Sequence, residues 1–311
     1  MPIVELQNIR KAYNTKIAVE GLSLTIEAGQ MFGLLGPNGS GKSSSIRMMI
    51  GITRPDSGTV RLFDKPFDRT ALDHVGYLPE ERGLYKKMKV IDQLVFFGQL
   101  HGLDPAIALK RAHHWCERMQ ITEAIPKKTE ELSKGMQQEI QFIASLLHEP
   151  DLIIMDEPFS GLDPVNAVLL MDTLVELRSQ GKAILFSTHR MDQVEKLCDS
   201  IALISRGKLV LSGTMREVKS SYPKNRVNVH FEGDSSFLNH PSIESSKVYN
   251  GIAEIKLAGP HPDAQPLLAA ALAQGTRMNR FEVMEPTLEE IFIERVGPEG
   301  LEVVEGVTAH A

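Results

Sequence analysis

The chain has 311 residues, 42% of them hydrophobic and 24% charged, which is the composition of a globular protein with one or two domains. No apolar run approaches the roughly 18 residues of a membrane-spanning helix, the start lacks a secretory signal, and the two distant cysteines, Cys116 and Cys198, predict reduced thiols. The net charge of −6 lies in residues 220–311, with 13 acidic and seven basic side chains, so neither part of the chain predicts a nucleic-acid-binding surface.

The first 219 residues predict an α/β domain. Residues 1–30 alternate apolar and polar side chains, which is the period of short strands. Residues 30–52 then predict a buried strand, a glycine-rich turn and a helix, and residues from about 85 to 145 place apolar side chains at helical spacing. The runs DLIIMDEP and KAILFSTH predict buried parallel strands around a helix that ends near Gly181, and SIALISRGKLVLSGT predicts a hairpin.

A change of pattern near SSYPKN (Ser220–Asn225) predicts a domain boundary. The strand-like runs RVNVHFEG, GIAEIKL and MNRFEVM follow, together with an alanine-rich helix and a last helix, TLEEIFIERV. We therefore predict a first domain at residues 1–219, a small α+β C-terminal accessory domain at 220–305 and a tail at 306–311.

The run GPNGSGKS matches the phosphate-loop pattern G-x-x-x-x-G-K-[ST] between a predicted strand and a predicted helix. Backbone N–H groups of such a loop converge on phosphate oxygens, and glycines leave room for that approach. Lys42 is predicted to place its charge between the β- and γ-phosphates, and the Ser43 hydroxyl to coordinate Mg²⁺. The predicted nucleotide-binding residues here are Gly36, Pro37, Asn38, Gly39, Ser40, Gly41, Lys42, Ser43 and Ser44.

Two acidic residues end the predicted strand LIIMDEP, at the edge where open α/β sheets place their ligands. We predict that Asp156 holds Mg²⁺ and that Glu157 is catalytic, because it orients or deprotonates the water that attacks the γ-phosphate. Two solvated acids at a strand end are the alternative, which the neighbouring phosphate loop disfavours.

Three further motifs occur in the order found in one protein family. LSKGMQQE (Leu132–Glu139) resembles the signature, usually LSGGQ, of the ATP-binding subunits of ABC transporters. SGLD (Ser160–Asp163) resembles the D-loop of that family, and STH ends at its switch histidine. The resemblance spans residues 1–218. It implies an α/β P-loop ABC ATPase fold with a mixed sheet core, an antiparallel β subdomain and a helical subdomain.

The resemblance also implies roles for individual residues. Tyr13 stacks on adenine, the signature residues Ser133 and Gly135 reach phosphate, Asp163 joins the nucleotide site through the D-loop, and His189 contacts the γ-phosphate as a second catalytic residue. In the family, the signature of one subunit closes over ATP held by the other, which implies a homodimer or heterodimer around two Mg-ATP. An exposed strand aromatic is the alternative for Tyr13, and a packed strand-end histidine is the alternative for His189.

The family works through membrane partners. The resemblance implies a separate transmembrane permease subunit that contacts about Arg82–Gln93, and a peripheral position on the cytoplasmic face of the cell membrane. The ending EPTLEEIFIERVG resembles exporter-type subunits of the sodium-extrusion and drug-resistance kinds, which favours export. No nucleic-acid partner is expected.

A soluble ABC ATPase acting on DNA, on the ribosome or as an assembly scaffold is the alternative. DNA-organising members insert a long coiled coil between phosphate loop and signature, whereas about 90 residues without sustained heptads separate them here. Ribosome-associated members normally carry two cassettes in one chain, and a scaffold that does not hydrolyse ATP has no need of Glu157 and His189.

The stretch GYLPEERGLY places Glu80 where the family has a glutamine that touches Mg²⁺ and the attacking water. A carboxylate oxygen is also a good Mg²⁺ ligand, so Glu80 is predicted to coordinate the metal. Its charge opposes the γ-phosphate when the metal is absent, and ATP binding is therefore predicted to depend strongly on Mg²⁺. Glu81 is predicted to be a solvated neighbour.

Overall fold

A computed structural model describes residues 1–81, 83–259 and 262–297. Arg82, in the segment predicted to contact a permease, and the tail predicted at 306–311 lie outside the described residues. The chain divides into two compact units: the first unit comprises residues 1–214 together with Val296 and Gly297, and the second unit comprises residues 215–295. The domain boundary predicted after residue 219 therefore falls inside the helix Met215–Ser220.

The first unit combines strands with helices. Its strands are β1 (Pro2–Tyr13), β2 (Lys16–Glu27), β3 (Met31–Leu35), β4 (Ser57–Leu62), β5 (Lys65–Pro66), β6 (Val75–Leu78), β7 (Leu152–Asp156), β8 (Ala183–Thr188), β9 (Ser200–Ser205) and β10 (Lys208–Thr214). Its helices are α1 (Lys42–Met49), α2 (Val90–Leu100), α3 (Pro105–Arg118), α4 (Lys134–Leu146), α5 (Pro164–Ser179) and α6 (Met191–Leu197).

The central sheet has the strand order β10-β9-β3-β8-β7-β6, parallel except for β10. Every residue of β3, β7 and β8 is buried, which explains their uninterrupted apolar sequences. Because these three strands are parallel neighbours, their carboxyl ends meet at one edge of the sheet. The phosphate loop, the pair Asp156–Glu157 and His189 follow these ends directly.

Two smaller layers complete the first unit. An antiparallel sheet of order β2-β1-β4-β5 turns apolar residues such as Val4, Leu6 and Ile26 into the core, in keeping with the predicted period of two. Helices α2, α3 and α4 form the helical segment predicted for about 85–145. Asp104 begins α3 by accepting a hydrogen bond from the Ala106 N–H, and it is followed by a proline that suits the first helical turn.

The second unit contains an antiparallel sheet of order β12-β13-β11-β14. The later elements are α7 (Met215–Ser220), β11 (Arg226–Glu232), β12 (Ile243–Tyr249), β13 (Ile252–Leu257), α8 (Gln265–Ala273), β14 (Arg277–Met284) and α9 (Leu288–Val296). Its core joins Val229, Phe237 and Leu267 among other apolar residues. Sequence reasoning missed β12, an edge strand in which IESSKVY leaves almost every side chain exposed and so lacks an apolar period.

None of the helices in the described part of the chain has the length and apolar character needed to cross a membrane.

Candidate functional site

The phosphate loop follows β3 and leads into α1, which begins at Lys42. Two of its glycines are required by their surroundings. A Cβ on Gly36 would lie 2.2 Å from the carbonyl oxygen of Ile204, and a Cβ on Gly41 would lie 2.4 Å from that of Ala18. Both glycines also have positive φ, at 152° and 113°. The loop can therefore keep this shape only with glycine at these positions.

A cavity of about 400 Å³ opens beside this loop. Ten of the predicted site residues line it, together with two residues that sequence reasoning missed, Lys16 and Ala18. The predicted residues that line it are Tyr13, Asn38, Gly39, Gly41, Lys42, Ser43, Ser44, Glu80, Asp156 and Glu157. The cavity therefore brings together the phosphate loop, two strand ends and the end of β1.

Lys42 is buried at the base of the cavity. Its ammonium donates a hydrogen bond to the Gly36 carbonyl oxygen at 2.7 Å and lies 3.9 Å from a Glu157 carboxylate oxygen. Burial lowers the pKa of Lys42, while the negative charges of Glu157, Asp156 and Glu80 act in the opposite direction. The ammonium is thus held beside three acidic groups in a partly desolvated site, where it can form a charge-assisted hydrogen bond to a phosphate oxygen.

Glu157 is fixed by the end of β8. Its carboxylate accepts a hydrogen bond from the Thr188 hydroxyl at 3.0 Å and one from the His189 backbone N–H at 3.1 Å. The His189 ring Nδ1 lies 2.9 Å from the same carboxylate. Glu157 also has a φ of 51°, a left-handed conformation that costs free energy for a residue with a side chain and is common at functional sites.

Asp156 and Glu80 place two more carboxylates at the cavity. Asp156 is almost fully buried and accepts a hydrogen bond from the Ser187 hydroxyl. Burial raises the pKa of Glu80, and the charges of Asp156 and Glu157 raise it further. Ser187 and Thr188 were missed by sequence reasoning. The motif STH that contains them was the available signal, since β8 pairs directly with β7.

Three predicted residues support the loop from outside the cavity. Gly36, Pro37 and Ser40 are buried in the loop and do not line the cavity wall. Ser40 keeps a buried hydroxyl oxygen without a hydrogen-bond partner among the described residues. Tyr13 does line the cavity and is 42% exposed at the end of β1, so its ring is accessible to a planar ligand.

The signature and D-loop residues lie apart from this cavity in the same chain. The hydroxyl of Ser133 begins α4 by accepting a hydrogen bond from the Met136 N–H at 3.1 Å. Asp163 begins α5 in the same way, because its carboxylate accepts a hydrogen bond from the Val165 N–H at 2.9 Å. Neither these two residues nor Gly135 belongs to the lining of the phosphate-loop cavity.

Two family models match the chain. The model described as "ABC transporter" matches residues 19–160, and the model "ATP-binding protein DrrA1-3-like, C-terminal domain" matches residues 213–296. An uncharacterised ABC transporter ATP-binding protein of Bacillus subtilis, YhaQ, is 43% identical over 296 residues, which cover 95% of this chain and 99% of the relative. The chain belongs to the ABC transporter ATP-binding proteins.

Other ABC transporter ATP-binding proteins agree with this assignment. The linearmycin resistance ATP-binding protein LnrL of Bacillus subtilis is 32% identical over 308 residues, which cover 95% of this chain and 98% of the relative. A solved ATP-binding subunit of an ABC transporter has a TM-score of 0.66 and 27% identity, covering 70% of this chain and 92% of that one. The predicted P-loop ABC ATPase fold is therefore confirmed.

The family assignment fixes the general activity. This protein is an ATP-binding and ATP-hydrolysing subunit of an ABC transporter. Subunits of this kind dimerise and work with transmembrane components.

Proposed function

We propose that the cavity beside the phosphate loop binds ATP and that Glu157 activates the attacking water. The observation that carries this proposal is the convergence of Lys42, Asp156 and Glu157 on one cavity beside the loop. Lys42 would neutralise the phosphates, the α1 N-terminus would add its positive dipole end, and Tyr13 would stack on adenine. His189 would hold Glu157 in place and then contact the γ-phosphate.

The oxygen donors around the cavity fit Mg²⁺. Ser43, Glu80 and Asp156 supply a hydroxyl and two carboxylates to the same cavity. Burial raises the pKa of Glu80, and the charges of Asp156 and Glu157 raise it further. No group of three or more acidic, histidine or cysteine side chains forms a metal cage among the described residues. Mg²⁺ usually combines one or two carboxylates with waters and substrate phosphates, and Glu80 and Asp156 would supply those carboxylates. When bound, the metal would neutralise phosphate charge.

We propose further that ATP completes its site across a head-to-tail dimer. Ser133 is exposed at the start of α4 and, like Asp163, does not line the cavity of its own chain. A hydroxyl at a helix N-terminus is well suited to bind phosphate, and a second copy can present it to the γ-phosphate. The second unit would stabilise or regulate that dimer.

The proposed permease contact follows β6. The segment from residue 83 to Gln93 exposes Lys86 and Lys87, and the rings of Tyr85, Phe96 and Phe97 pack together beside it. We propose that a permease helix binds here, that the subunit sits on the cytoplasmic face of the membrane and that the transporter is an exporter. Lys86→Glu with Lys87→Glu should then weaken permease-stimulated ATPase activity while ATP affinity stays unchanged. Equal loss of both would contradict this contact.

Substitution of Glu157 by Gln tests the catalytic role. We expect the ATPase rate to fall by about a hundredfold or more, because the amide keeps the shape but cannot accept a proton. The variant should still bind ATP and should accumulate ATP-dependent dimers, measured by size-exclusion chromatography with light scattering. Glu81→Gln, an exposed glutamate near the same site, is the matched control and should hydrolyse ATP normally. Unchanged hydrolysis in Glu157→Gln would refute the assignment.

A further inference from the structure

Glu139 is a buried acid that has no partner. It lies on α4 with 2% of its surface exposed, and neither carboxyl oxygen has a hydrogen-bond partner among the described residues. An unpaired ion in such a place is far more costly than a neutral acid. Burial raises the pKa of Glu139 to about 7, and the charges of Asp163 and Glu123 add to the increase. The carboxyl therefore changes its charge near neutral pH.

Glu139 lies on the face of α4 that packs against the D-loop. Gly135 is four residues earlier and so shares this face. A Cβ added to Gly135 would lie 3.2 Å from the Gly161 carbonyl oxygen, which shows how closely the helix approaches the D-loop backbone. Gln138 extends the contact, since its side-chain amide donates a hydrogen bond to the Pro158 carbonyl oxygen at 3.3 Å.

The D-loop presents a second carboxylate to this face. Asp163 begins α5 by accepting hydrogen bonds from the N–H groups of Val165 at 2.9 Å and Asn166 at 3.1 Å. The charged groups that act on Glu139 are Asp163 and Glu123, and both are acidic. No cation in the described part of the chain is paired with Glu139. Ionised Glu139 would therefore repel Asp163 with nothing to compensate.

We propose that Glu139 is a positioning residue, which allows the D-loop to pack against the signature turn only while its carboxyl is protonated. The proton comes from solvent and returns to it. When Glu139 loses the proton, its unpaired charge beside Asp163 pushes the D-loop out of register with the signature turn. Because both motifs are proposed to close over ATP in the dimer, this inference rests on the proposed function and predicts weaker dimer closure at higher pH.

Glu139→Gln tests the proposal because it keeps the shape and has no proton to lose. At each pH, the measured quantity is the ATPase kcat of the unaltered chain divided by the kcat of the variant. This ratio should fall by up to about ninefold between pH 6 and pH 8. The reason is that the protonated fraction of a group with a pKa of about 7 falls from about nine tenths to about one tenth. ATP affinity, measured with a fluorescent ATP analogue at low protein concentration, should not show this pH dependence.

Glu117→Gln is the matched control, because Glu117 is exposed on α3. Its kcat should follow the unaltered chain at every pH. A constant ratio between the unaltered chain and Glu139→Gln would overturn the proposal, even if thermal stability fell over the same pH range, since Glu139 would then only pack. No hydrolysis by the unaltered chain and by Glu117→Gln at any pH would instead contradict the proposed function, and this inference with it.

Discussion

The two units bury different kinds of side chain. The first unit encloses the charged residues Lys42, Glu139, Asp156 and Glu157, whereas Thr276 is the one buried polar residue among the described residues of the second unit. Burial of charge opposes folding unless a partner compensates it. The buried charged residues of the first unit therefore lower its stability, and most of them lie at the proposed nucleotide site. The second unit has an almost wholly apolar core, which is the composition expected of a domain with a structural role.

A substitution in the core of the second unit should have the largest effect of those that test this difference between the units. Phe237 is fully buried and packs edge-to-face on Phe231, with ring centroids 5.0 Å apart. Phe237→Ala should destabilise the second unit by about 3–5 kcal/mol, because it removes apolar contacts and leaves a cavity. Trp115, the one tryptophan of the chain, lies on α3 in the first unit. In urea, circular dichroism should thus show an additional early phase from the second unit, whereas the transition followed by tryptophan fluorescence should shift little.

Leu272→Ala is the control for that experiment, because Leu272 lies on α8 and is 59% exposed. It should shift neither transition by much. If the fluorescence transition of Phe237→Ala instead moves together with the circular dichroism transition, the two units unfold as one. In that case, the difference between their buried side chains would not indicate separate roles.

The opposite experiment removes function and keeps the fold. Lys42→Met should weaken ATP binding by about thirtyfold to a hundredfold, or roughly 2–3 kcal/mol, because a charge-assisted bond to phosphate is lost. The melting temperature should change little. Burial lowers the pKa of Lys42, which means that the buried charge is unfavourable, and a methionine side chain packs well in a buried position. Calorimetric titration with Mg-ATP and a thermal melt measure the two effects.

Lys16→Met is the control that distinguishes the specific position of Lys42 from the positive charge that both lysines bring to the cavity. Lys16 lines the same cavity but is exposed at the start of β2, so its loss should reduce ATP affinity only slightly. Equal losses for the two lysines would mean that the cavity attracts ATP by its general charge, and the assigned role of Lys42 would be wrong.

Much of the first unit could be predicted from sequence, since its motifs are local. The glycines of the phosphate loop, the acids after β7 and the apolar runs of β3, β7 and β8 each carry their structural reason within about ten neighbouring residues. The family comparison confirms the fold that these motifs predicted. The roles of the individual site residues remain predictions.

The features that sequence reasoning missed depend on contacts between distant residues. Thr188 reaches Glu157 because β8 lies beside β7, 31 residues away in sequence. Glu139 looks like an ordinary polar residue of the signature helix, and only the folded structure shows that it is buried. The edge strand β12 has no apolar alternation to detect, because neither of its faces contributes much to a core.

Glu80 provides the smallest and most specific test of the charged first unit. Its carboxylate shares the cavity with Asp156 and Glu157, and burial together with their charges raises its pKa. Without Mg²⁺, a third negative charge should repel the γ-phosphate by about 1 kcal/mol, as expected for two unit charges about 4 Å apart in a water-filled cavity. Glu80→Gln should therefore reduce the ratio of ATP dissociation constants without and with Mg²⁺ by roughly fivefold.

Lower pH should imitate that substitution in the unaltered chain. An acid with a raised pKa takes up its proton at a higher pH than an ordinary glutamate, so mild acidification should neutralise Glu80 before most other carboxylates. The Mg²⁺ dependence of ATP binding should then shrink in the unaltered chain and in Glu81→Gln, and stay nearly constant in Glu80→Gln. If Glu80→Gln keeps the full Mg²⁺ dependence, the carboxylate at this position neither binds the metal nor opposes the phosphate.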